Sequence, residues 1–137
     1  AAYLLVRYGL LGLARVRQAR RRRLPHVHLQ KSLRKLAAQM SSMEAKPFFV
    51  LLSLAFRRYL AERLQAPLMS VTTGEIVKEL DKAGLDEDVA FRVHELLGSA
   101  DLIKFSGIRG TRKEMDRSMR MAGRIAEQVE EAAHVEL

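Results

Sequence analysis

Apolar positions recur at helical spacing through most of the chain. Residues 1–14, AAYLLVRYGLLGLA, are apolar except for Arg7, and RVRQARRRR follows. Leu24-Pro25 predicts a break, because proline lacks an amide hydrogen and disfavours helix at the residue before it. Leu29, Leu33, Leu36, Ala37 and Met40 then give a helix over 27–40, with Lys31, Arg34 and Lys35 on its other side. The strongest helix is predicted over 44–64. Its almost continuous run Phe48 to Phe56 must be central to the core, and Pro47 is tolerated in its first turn.

Past Pro67 the pattern shortens. Leu68-Met69-Ser70-Val71 predicts a short extended segment, and Thr72-Thr73-Gly74-Glu75 has the capping-box spacing that opens a helix over 73–82, ended at Gly84. Asp86 is the next N-cap candidate. The helix 86–98 is expected to bury Val89, Phe91, Val93, Leu96 and Leu97 and to stop at Gly98. Leu102-Ile103-Lys104-Phe105 predicts a second extended segment before the turn-prone Ser106 to Gly110. Thr111 to Glu114 is a second capping-box match, opening a helix over 111–135 with Met115, Met119, Ala122, Ile125, Ala126 and Val129 on one face.

The expected fold is therefore mainly α: a small helical, winged-helix-like core with two short strands, a long C-terminal helix and an N-terminal transmembrane or juxtamembrane helix. The expected division is 1–23 as the end of a transmembrane or interfacial helix, 24–43 as a basic connecting helix along the membrane surface, and 44–137 as a cytosolic helical domain. Ala1 in place of an initiating Met fits a fragment or a processed chain.

Charge sharpens this picture. Residues 1–43 carry ten of the 24 basic residues and no acid, whereas the remaining 14 face all 16 acids. The net charge of +8 thus belongs to the arm. An apolar run followed by Arg15, Arg17, Arg20, Arg21, Arg22 and Arg23 is the stop-transfer pattern that marks a cytoplasmic membrane face. The apolar stretch alone spans roughly 21 Å against a hydrocarbon core of ~30 Å, so it reads as the end of a span or as an interfacial helix. Anionic lipid of the cytoplasmic leaflet is the expected partner of the arginines.

Candidate chemistry is sparse. No cysteine is present, and His26, His28, His94 and His134 have no metal-ligand spacing. No nucleophile elbow or phosphate loop occurs, so neither a catalytic residue, a cofactor, a metal nor a small-molecule substrate is expected. Nucleic acid is disfavoured: the helix 86–98, in the recognition position of a winged helix, carries Asp86, Glu87, Asp88 and Glu95 against Arg92 alone. Asp101 and Lys104, beside the second extended segment, read as a structural ion pair or as an interaction edge. Met115 and Met119 read as core or partner-packing surface.

The segments LSLAFRRYLAERL, TTGEIVKEL, ELLGSADLIKFSG and TRKEMDRSMRMAGRIAEQVEE, in this order, resemble the C-terminal cytosolic domain of BatD-like aerotolerance-operon proteins and related membrane-anchored families of unknown function. The most specific elements are Thr72, Thr73, Glu75 and the run Ala100 to Phe105; Ser106 stands where such sequences often have Ala. The resemblance implies a bacterial inner-membrane accessory protein with its body on the cytoplasmic side. It also implies a MoxR-type AAA+ ATPase and von Willebrand factor A-domain proteins as partners, and it assigns no catalytic residues. Two other expectations stand beside it, a membrane-tethered winged-helix nucleic-acid-binding domain and a structural scaffold or oligomerisation subunit.

Overall fold

The computed structural model describes residues 24–135. Helix α1 covers residues 24–39, and a 3-10 turn Met40–Ser42 leads to α2 (Ala45–Leu64), α3 (Thr73–Lys82), α4 (Glu87–Phe105) and α5 (Arg112–Val135). The arginine-rich segment 1–23, with its expected membrane helix, lies outside the described residues. None of the described helices is long and apolar enough to cross a membrane.

The helix ends follow local chemistry. At α2 the chain leaves through Gln65 at φ 52, whose N–H returns to the Ala61 carbonyl, and Pro67 prevents continuation. At α3 both halves of the capping box form: Thr72 Oγ1 accepts from the Glu75 amide, and the Glu75 carboxylate accepts from the Thr72 amide. Gly84, at φ 80, makes the turn into α4. Thr111 Oγ1 accepts from the Glu114 amide at 3.2 Å and so caps α5. Asp86 holds the N-cap position of α4 but makes no side-chain cap bond, so Glu87 and Asp88 supply the negative charge at that end.

Among the described residues there is no strand, and the winged-helix expectation fails with it. Residues 102–105 are the last turn of α4. Gly98 does not stop that helix, because Leu96, Leu97, Ala100 and Ile103 continue its buried stripe through the glycine and outweigh its ~1 kcal/mol propensity cost. With that partner gone, residues 68–71 have nothing to pair with. They form an irregular link in which Leu68 is buried and Arg57 donates to the carbonyls of Leu68 and Val71, at 3.5 and 2.6 Å. Leu24 and Pro25, expected as a break, are themselves helical and form the first described turn of α1.

α4 packs against α2, α3 and α5, and α2 against α5. Phe48 and Phe49 meet edge to face with centroids 5.2 Å apart, and Leu52, Phe56 and Leu60 follow along α2 in the same buried cluster. Two sequence expectations need correction here. Phe91, expected inside, is 62% exposed, and Val50, Leu51 and Leu54 face outward, so α2 is central without being buried all round. Helix α1 contributes Leu29 and Leu36 to the common core, at roughly 1.5–3 kcal/mol each for full burial. Arg112, at the start of α5, donates to the carbonyls of Met40 and Ser41 and fixes the α1–α2 junction.

Candidate functional site

The Asp101–Lys104 edge is a polar junction of three helices. Asp101 Oδ1 lies 3.5 Å from Lys104 Nζ, one turn along α4. Its other oxygen accepts from Thr73 Oγ1 of α3 at 2.9 Å, and Lys104 donates to Ser53 Oγ of α2 at 3.4 Å. Ser53 is a buried polar residue of the core, so the lysine reaches inward to satisfy it. The sequence places Asp101 and Lys104 together by their spacing. It gives no sign of Thr73 and Ser53, which arrive through tertiary packing.

The methionine face is occupied by the domain itself. Met115 is 1% exposed and packs with Ala122, Ile125, Ala126 and Val129 in the core, while Met119 is partly covered against the same cluster. Met115 is thus core, where α5 meets α2 and α4, while Met119 keeps part of its surface exposed.

A second polar junction is not legible in the sequence. The Tyr59 hydroxyl donates to Glu130 Oε1 at 3.0 Å and approaches the Ala126 carbonyl at 3.3 Å. Arg63, one turn on, holds Glu130 Oε2 at 2.7 Å. Burial, and then the charge of Glu130, raise the phenol's pKa well above its ordinary value. Such a tyrosine stays protonated and serves as a donor. The only hint in the sequence is the four-residue spacing of Tyr59 and Arg63; Glu130 is too distant in the chain to be suspected.

No protein-family model, curated protein or solved structure matches the chain.

Among the described residues no group of three His, Asp or Glu side chains is placed to hold a metal ion. What the surface offers is shape and apolar area. A half-open groove of about 640 Å³ runs between α1 and α2. Leu29, Leu36, Leu51, Leu54, Ala55 and Tyr59 supply its apolar lining, and Lys35, Arg58 and Glu62 its charged groups, with the His28 ring beside Glu62. Glu62 is the one acid of the lining against Lys35 and Arg58, which leaves the groove net positive. Elsewhere on the surface, α4 and its exit loop expose Phe91, Leu102, Phe105 and Ile108.

Proposed function

We propose that the chain is a membrane-anchored accessory module, an interaction domain and not an enzyme, on the cytoplasmic side of a bacterial membrane. Its partners in this reading are a MoxR-type AAA+ ATPase and von Willebrand factor A-domain proteins, as the family resemblance implies. The observation that carries the reading is the α1–α2 groove. Its apolar lining includes Leu51 and Leu54, which are 42% and 44% exposed and have no structural need to be apolar. Its α1 wall follows directly in the chain on Arg20 to Arg23, the segment read as lipid-facing. Lys35 and Arg58 favour an incoming amphipathic helix with an acidic flank.

The test is a pull-down from solubilised bacterial membranes with the full chain as bait. Recovery of an AAA+ ATPase or A-domain protein by the native chain, with about tenfold less by a Leu51→Glu/Leu54→Glu variant, is the expected result. Equal recovery by both baits, or recovery of neither protein class, overturns it.

A further inference from the structure

Scattered exposed apolar residues are ordinary on a protein surface, but those of α4 are not scattered. Phe91, Gly98 and Phe105 are spaced seven residues apart, two helical turns each, and so lie along one line of the helix. Leu102 joins the line at 56% exposure, and Phe105 is 80% exposed. Ile108, 54% exposed, prolongs it into the exit loop. At the midpoint the surface is bare: no atom lies within 4 Å of where a Cβ on Gly98 would sit.

The arrangement is complementary to itself. We infer that the chain pairs with a second copy through α4, antiparallel and two-fold about Gly98. The axis sets Phe91 of one protomer beside Phe105 of its partner and repeats the contact on the other side, as an isologous interface requires. Gly98 at the crossing lets the two backbones approach closely. Glu87 and Arg109 are each eleven residues from Gly98, Glu87 in the first turn of α4 and Arg109 in the loop beyond its end, so the acidic start of one α4 lies toward the basic exit of the other. Antiparallel alignment also brings opposite helix-dipole ends together. Two pairings set like charges opposite each other, Arg92 with Lys104 and Glu95 with Asp101. Both are relieved on one side, because Lys104 and Asp101 neutralise each other and are held inward by Ser53 and Thr73. Two covered phenylalanines contribute at most roughly 300–500 Å² per protomer, and Leu102, Ile108 and the charged rim extend this toward the ~800 Å² per partner of a stable interface.

This surface is separate from the α1–α2 groove, so either reading can fail alone. The chain has no cysteine, which makes single-cysteine variants of the full chain in mild detergent a clean probe. Under oxidation Gly98→Cys should form a disulfide dimer, and a mixture of Phe91→Cys and Phe105→Cys chains should cross-link to each other. Arg120→Cys, on the exposed face of α5, should give at least tenfold less dimer. In sedimentation equilibrium the native chain should show twice its 15.5 kDa mass, and Phe105→Glu should show the single-chain mass. Phe105 is too exposed for that change to unfold the domain, which circular dichroism checks. Cross-linking of Gly98→Cys no greater than the control, a monomeric native chain, or a Phe105→Glu chain that still dimerises would each overturn the inference.

Discussion

Tyr59 and Glu130, 71 residues apart in the chain, are joined by a 3.0 Å hydrogen bond that fastens α5 to α2 inside the core. The pair depends on the phenol keeping its proton, since an ionised oxygen would face the Glu130 carboxylate. Arg63 balances that carboxylate from the other side.

Replacing Tyr59 by Phe should therefore lower stability by about 1–2 kcal/mol near neutral pH, because Glu130 loses a buried donor. The pH dependence has a definite sign. The folded-state pKa is raised above the ~10 of an unfolded tyrosine, so above about pH 10 the unfolded chain binds fewer protons than the folded one. The stability contribution is complete below that pH and is lost as pH rises beyond it. Urea denaturation across the alkaline range should show a steeper decline for the native chain than for Tyr59→Phe.

Two glycines should respond oppositely to alanine. A Cβ on Gly110 would fall 2.9 Å from the Ala45 Cβ and 3.2 Å from both Ile103 and Phe49, where the α4–α5 loop crosses the start of α2. Gly110→Ala should cost about 1–3 kcal/mol through overpacking. Gly123, inside α5, has no atom within 4 Å of that position, so Gly123→Ala should stabilise by roughly 0.5–1 kcal/mol. Thermal midpoints of the two variants, moving in opposite directions, check both.

Asp101→Ala should act through stability. It removes the acceptor of Thr73 Oγ1 and the counter-charge of Lys104, whose side chain is only 16% exposed. A loss of about 1–2 kcal/mol is expected. In a double-mutant cycle with Lys104→Ala the two losses should add to more than the double variant shows. Strict additivity in denaturant melts would mean that the ion pair contributes nothing.

The sequence is most informative where side chains act on their own backbone. The Thr72–Glu75 capping box marks the start of α3 and Thr111 that of α5, because the bonding groups lie three residues apart. It misleads where a strand-like composition competes with helical periodicity: Leu102-Ile103-Lys104-Phe105 looks extended in isolation, yet Ile103 completes the stripe of Leu96 and Ala100. Phe91 misleads for a related reason, since an aromatic residue in an amphipathic helix is ordinarily core. Asp101 and Lys104 are legible as a pair through their local spacing. Tyr59–Glu130 and the α1–α2 groove are not, because only tertiary packing brings their parts together.

The anchoring of the α1–α2 junction by Arg112 has a consequence for biosynthesis. Synthesis runs from the N-terminus, so α1 and α2 emerge well before the helix that secures them. Arg112 and Glu130 belong to α5, and the Tyr59, Arg63, Met40 and Ser41 contacts close only when it arrives. A nascent chain that has not yet made α5 would lack the partner of Tyr59 and Arg63 and the Arg112 anchor of the α1–α2 junction. Ribosomal stalling or premature termination before α5 would leave the faces of α2 and α4 that it covers to chaperones and proteases, making α5 the checkpoint for the domain.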